Sequence, residues 1–478
     1  MYHTSIYTIR RHKRRRSSWK CAHHSPKVCS LPVIAIVVIL VSASCRPSPV
    51  FVQQASPIDT SGHLCPTTPL ADRQTVENAR LIALLDSKRL GRNVSAPRFC
   101  WSADGKHLVY LADGQLRIVD APDFADSRAL VSVGRASQVL CSPEGHNVVL
   151  VQPRQDQAAI LDTVVVISED GDIRDLLPGE IADMSVSDVK TLLTWSDDQW
   201  IFFMNHRGTG VNDLVAVHAD TGQVQYIVNY PSGLITDVMG ATYCWSPTRA
   251  LLAMEEAGSG VPRVTVIELS TKRQIRLYEL PEMPQYQAVE GWSPDSDEQK
   301  LLFEGWSGDP RGFPHVVPNL MTWNTREGTQ QCLVPHVCHS AWSPDGACIA
   351  FFLVGVPIYD GQGQLIDTSV AMSSTVHLEL GILDVETNHI VGLVPASLAQ
   401  TPKLIHDPRC LTNILSWSPD SSKLVYSTGQ GELWLYFVDT RTRQQLMPYS
   451  EASRAVWSPD GTRVAVVTPE NILILEID

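Results

Sequence analysis

Four residues in one short stretch carry side chains that bind metals: Cys332, His336, Cys338 and His339, with His315 upstream. Thiolates and imidazoles are zinc ligands, but Cys-x3-His-x-Cys-His matches no standard zinc spacing. The stretch also reads as the third and fourth strands of a blade, where alternate side chains face opposite sides. Plain strand residues are therefore the reading carried forward, with a metal site as the alternative. Cys332 and Cys338 are also spaced to pair across a turn. Gly305-Trp306-Ser307-Gly308-Asp309 approaches the nucleophile elbow Gly-x-Ser-x-Gly but lacks its last Gly. The last histidine is His406, which leaves no hydrolase domain with a downstream base. The run from Asp360 to Asp367 lacks the ligand order of an EF-hand and reads as a Gly-rich hairpin turn inside an insertion. No Gly-Lys-Ser/Thr phosphate loop occurs. No catalytic residue is assigned, and no cofactor is expected.

The elements that would position such residues come from a repeat. Trp-Ser-Pro-Asp-Gly stands at Trp342–Gly346 and Trp457–Gly461, with close variants at Trp101, Trp292 and Trp417. Weaker copies begin at Trp245, Trp195 and Cys141. The eight starts, 101, 141, 195, 245, 292, 342, 417 and 457, lie 40 to 75 residues apart. Most of these steps match the roughly 40–50-residue period of a four-stranded propeller blade. A β-rich run follows every copy (HLVYLA, WIFFMN, KLLFEG, RVAVVT), and further runs and turn residues come next. Short strands at even spacing predict an all-β repeat fold. Within the motif, Pro presets φ, Asp bonds nearby backbone and Gly accepts positive φ. The Trp is placed to pack between neighbouring sheets.

The recurrent WSPDG followed by an apolar strand resembles the TolB-type, WD-repeat-like β-propeller repeat, across about residues 80–478. That resemblance implies one blade per motif: eight blades, or seven if the degraded copies at Cys141 and Trp195 do not form blades. The last copy has no fourth strand of its own after NILILEID, so an amino-side strand, RLIALLD at 80–86, is expected to close the ring. A short helix across 73–89 is the competing reading. Functionally the resemblance covers periplasmic scaffolds that bind envelope proteins, propeller halves of serine peptidases, and enzymes acting in the propeller mouth, some with His-bound metal. A fold alone does not choose among these.

Composition narrows the field further. The chain has 478 residues and a net charge of −13. Residues 1–44 hold eight basic residues and no acid. Removing those eight from 38 leaves 30 against 51 acidic residues, or −21, so nucleic acid is not an expected partner. The basic stretch followed by the apolar run 31–41 has the layout of an export signal. The small residues before Cys45 resemble a bacterial lipoprotein signal, which implies lipidation of Cys45; an uncleaved signal anchor is the alternative. Residues 45–70 read as the lipidation site and a Pro/Ser/Thr linker, and 71–478 as the propeller. The expected partners are other envelope proteins and, through the amino end, the membrane.

Nine cysteines remain from position 45 onward. Cys100 and Cys244 precede the motif Trp on blades that are not adjacent, so both read as small buried residues. The longest step, Trp342 to Trp417, exceeds its neighbours by about 25 residues, lying in 355–375 and 396–414. Long excursions on a rigid scaffold are commonly functional, and these are expected to help form a partner surface.

Overall fold

The computed structural model describes 50–51, 79–86 and, between 99 and 477, all but 135, 137, 146, 154–161, 169, 178–188, 197–198, 207–211, 231–242, 247–249, 259–260, 281–282, 285, 295–299, 307–317, 360–363, 370–374, 401–413, 429–430, 449–451, 453 and 469–470. Met1–Ser44 and Cys45–Asp478 are separate units. The export segment and Cys45 lie outside the described residues. The described residues are strands and turns, with a single 3-10 turn at Leu277–Glu279. No described helix is long and apolar enough to cross a membrane.

Each motif copy ends the first strand of an antiparallel sheet, and there are eight such sheets, numbered here as blades 1 to 8 in motif order. The first strands of successive blades neighbour one another around the ring, as at Phe99–Trp101 with Gln138–Cys141 and Tyr286–Trp292 with Val337–Trp342. The copies at Cys141 and Trp195 both build blades, so the ring has eight and not seven. Blade 8 is completed from the amino side. Ala79–Asp86 pairs antiparallel with Asn471–Ile477, from Ala79↔Ile477 to Asp86↔Asn471. Ala83 and Leu85 are buried while Leu84 is exposed, the period-two alternation of a strand and not a helix.

The motif turn repeats in detail. Ser102 Oγ donates to Asp104 Oδ1 at 2.6 Å and accepts the His107 N–H at 2.9 Å. Asp104 Oδ1 accepts the Lys106 N–H at 3.0 Å, and Gly105 has φ +68°. The same Ser–Asp contact stands at Ser343–Asp345, Ser418–Asp420 and Ser458–Asp460. In blade 7 the Gly slot holds Ser421 at φ +62°, a strained position for a side chain. The motif Ser is buried in every copy, so its hydroxyl belongs to the core of the turn.

Eight apolar clusters fill the eight seams between blades. Seven contain the motif Trp of the later blade: Trp195, Trp245, Trp292, Trp342, Trp417, Trp457 and, where blade 1 meets blade 8, Trp101. The eighth, between blades 1 and 2, has Cys141 in that slot. Cys100 is thus not a plain buried residue. It is half-buried and disulfide-bonded to Cys141, with the Cα atoms 5.7 Å apart. Cys244 remains a half-buried thiol packed in the seam with Trp292.

The long step builds an enlarged blade 6. Its sheet has seven strands in the order Val337–Trp342, Cys348–Val354, Thr375–Asp384, His389–Gln400, Val50–Phe51, Gln364–Ser369, Val356–Tyr359. The first insertion supplies the hairpin Val356–Tyr359 with Gln364–Ser369, and part of the second lengthens the fourth strand to Gln400. Val50–Phe51, inside the stretch read as linker, lies between hairpin and blade, antiparallel to one and parallel to the other. Both residues favour extended backbone.

Candidate functional site

The metal-ligand candidates are not gathered into one site. Cys332 is a buried thiol packed toward blade 4 with Trp292, Met321 and Trp323. Cys338 faces the opposite side, toward blade 7, with Trp417 and Tyr426, and it is disulfide-bonded. The expected Cys332–Cys338 pair is therefore not formed. The outer strand and the next inner strand belong to different sheets and present their sulfurs to different seams. A disulfide sulfur also offers no thiolate to a metal. His336 occupies the turn between them at φ +51°. Among the described residues, no group of three or more His, Cys, Asp or Glu is arranged to hold a metal ion. His315 and the Ser307 stretch lie outside the described residues.

His339 instead joins a different group, in the seam between blades 5 and 6. It sits on the inner strand of blade 6, where the register shifts between Cys338 and Ser340. Its φ is +54°, an uncommon value for a residue with a side chain. Glu290 takes the matching place on the inner strand of blade 5, where the register shifts between Val289 and Gly291. A bulge leaves a residue out of the ladder and re-aims its neighbours. Here the amides turn to carboxylates of the adjacent blade. The His339 N–H donates to Glu304 Oε1 at 2.5 Å, and the Ser340 N–H donates to Glu290 Oε2 at 3.0 Å. Glu304 is on the second strand of blade 5, paired with Ala288 and Leu320.

The electrostatics follow from burial. Desolvation raises the Glu290 carboxyl to about 8, with the nearby charge of Glu255 pushing the same way and the Ser340 amide opposing. Glu304 is also pushed well above the carboxylate range, chiefly by burial and then by Glu290. Desolvation pulls the His339 imidazole down to about 4. His339 Nδ1 and Glu290 Oε2 are 3.7 Å apart, too far for a hydrogen bond. Burial thus favours the neutral form of both groups and works against an ion pair between them. His339 keeps 36% of its side-chain surface and Glu290 13%, so the carboxyl is the more fully desolvated of the two. Chemically it is a proton donor beside a neutral base.

Composition and spacing did not single out Glu255, Glu290 or Glu304. A signal was present: each is a lone or paired acid inside an otherwise apolar strand (LLAMEE, YQAVEGW, LLFEGW), and charged residues are rarely buried without a partner.

No family model matches the chain, and no curated protein matches it. Solved structures of similar fold include TolB from Acinetobacter baumannii, at 17% identity over 73% of this chain and 78% of that one, TM-score 0.35. An oligogalacturonate lyase in complex with manganese is 12% identical over 70% and 87%, TM-score 0.45. The Dos1 propeller is 12% identical over 82% and 95%, TM-score 0.48. At these identities the likeness concerns the propeller fold alone.

Proposed function

We propose that this chain is a membrane-tethered, extracytoplasmic β-propeller that serves as a protein-binding or scaffolding module of the cell envelope. The observation that carries the reading is blade 6, widened from four strands to seven on an otherwise regular ring. A closed ring holds an added surface rigidly, and binding elements on rigid scaffolds commonly sit in such excursions. The basic and apolar amino segment supports export, and Cys45 supports a lipid tether. The Cys100–Cys141 bond supports an oxidising compartment, where disulfides persist. One lipid chain anchors only marginally, so a second membrane or protein contact is part of the proposal.

Capture of partners by the full chain from solubilised membranes tests the binding reading. Deleting 356–374 abolishes capture if blade 6 carries the surface; unchanged capture removes that assignment. Mass spectrometry of the mature amino terminus tests the tether: a lipid-modified Cys45 supports it, and an unprocessed terminus favours a signal anchor.

A second reading, a metal-dependent lyase or hydrolase acting at the channel mouth, has as its one supporting contact the His339 imidazole 3.7 Å from the Glu290 carboxyl, with no three-ligand group among the described residues. One stoichiometric metal in the purified protein, lost on His339→Ala, would support it over the scaffold.

A further inference from the structure

Four of the eight seams share one polar contact, while Trp195 bonds Gln199 of its own blade and Trp245 and Trp342 do not make it. The indole N–H of a motif Trp donates to the carbonyl of the residue just before the motif Trp of the preceding blade. Trp101 bonds Val456 at 3.2 Å, Trp292 bonds Cys244 at 2.9 Å, Trp417 bonds Ala341 at 3.1 Å and Trp457 bonds Ser416 at 3.0 Å. Each bond links the motif slot of one blade to the slot before it in the last.

Between blades 1 and 2 those same two slots are Cys141 and Cys100, and they are joined by the disulfide. The covalent bond occupies the place of the indole clasp. A lone Cys at 141 would remove both the indole's volume and its N–H; the second Cys, at 100, restores the link. The surroundings offer no substitute. This seam's cluster is Val109, Leu111, Leu116, Val139, Val148, Leu150 and similar aliphatics, and among the described residues it alone has no aromatic side chain. Every other seam cluster contains at least one. Both cysteines are half-buried, so a reductant can reach the bond.

We infer that Cys100–Cys141 is a redox-sensitive clasp, and that the seam between blades 1 and 2 is where the ring loosens on reduction. The bond breaks by thiol–disulfide exchange: an external dithiol supplies two electrons, is itself oxidised to a disulfide, and leaves two thiols at 100 and 141. Among the described residues the seams clasped by Trp101, Trp292 and Trp457 hold no disulfide, whereas the Trp417 seam holds the disulfide-bonded Cys338 and Cys348 beside its indole clasp, which reduction leaves in place. The inference holds whether or not the chain binds envelope proteins.

Hydrogen exchange on the full chain with and without dithiothreitol tests it. Loss of the bond is checked by mass, and exchange is compared at 99–112 and 138–151 against 286–292 and 454–467. The expected result is exchange about tenfold faster or more at the first pair only. Cys100→Ser with Cys141→Trp rebuilds the indole clasp on a Ser carbonyl, as at Ser416, and is expected to make this seam indifferent to reductant. Unchanged exchange at 99–112 and 138–151 after confirmed reduction would overturn the inference, whether or not the double variant folds. So would reductant sensitivity at this seam persisting in a folded double variant.

Discussion

The backbone N–H of His339 donates to the Glu304 carboxyl across the seam between blades 5 and 6, although the two residues belong to different sheets. The contact exists because a bulge takes His339 out of its own ladder. It ties an inner-strand histidine to a buried carboxyl and, with Glu290, makes the energetics of this seam depend on protons.

The pH dependence has a definite sign. Glu290 has a folded value of about 8 against an ordinary 4.5, so between those pH values the folded chain holds the proton that the unfolded chain has released. Stability from this group therefore falls as pH rises from about 4.5 to about 8. His339 acts oppositely in a lower window: its folded value of about 4 lies below 6.5, so its penalty appears as pH falls from 6.5 to about 4. Above pH 6.5 only the carboxyls act, and Glu304 adds in the same direction as Glu290. Thermal melts from pH 6.5 to 8 are expected to show a falling Tm in the parent chain and a flatter profile in Glu290→Gln. Parallel profiles would refute the assignment.

The motif tryptophans are packing and clasping groups. Trp417 is buried among Phe352, Tyr426 and Leu424, and its N–H bonds the Ala341 carbonyl. Trp417→Ala is expected to cost about 3–5 kcal/mol in denaturant unfolding. Trp417→Phe keeps most of the volume but orphans the carbonyl, for a smaller cost of about 1–3 kcal/mol. A loss below 1 kcal/mol for Trp417→Ala would mean the slot is not structural.

Ring closure rests on one amino-side strand. Leu85 points into the seam between blades 8 and 1 and Leu84 points outward. Leu85→Asp places an unpaired charge in that seam and is expected to open the ring and yield oligomers in size-exclusion chromatography, by exposing the edge at Asn471–Ile477. Leu84→Asp is expected to stay within about 0.5 kcal/mol of the parent. Equal effects would show that the segment does not pack in this register.

The motif serine has a measurable role. Ser458 Oγ accepts the Arg463 N–H at 3.0 Å, fixing where the next strand begins. Ser458→Ala leaves that amide without its partner and is expected to cost about 1–3 kcal/mol, read by urea unfolding.

The ring was legible in the sequence because one packing problem is solved eight times with nearly the same letters. Period, turn chemistry and the missing last strand together led from Trp101 to RLIALLD. Two features were not legible, for a common reason. Cys100 and Cys141 occupy slots offset by one position, and the offset makes sense only once an indole is seen to bond the slot before the preceding blade's tryptophan. Glu290 and His339 are brought together by two bulges, and a bulge follows from local hydrogen bonding more than from hydrophobic period. The metal reading of Cys332, His336, Cys338 and His339 counted chain spacing where sheet geometry decides, since alternate residues and successive sheets face different seams.

The central claim, that the widened blade 6 is a partner surface, is tested most directly by photo-crosslinking in intact cells. A crosslinking amino acid is placed at position 367 in the blade 6 hairpin and, as reference, at position 225 on the exposed outer strand of blade 3. The account expects a discrete crosslinked protein from position 367 and none from 225. No crosslink from 367, or the same products from both positions, would contradict it.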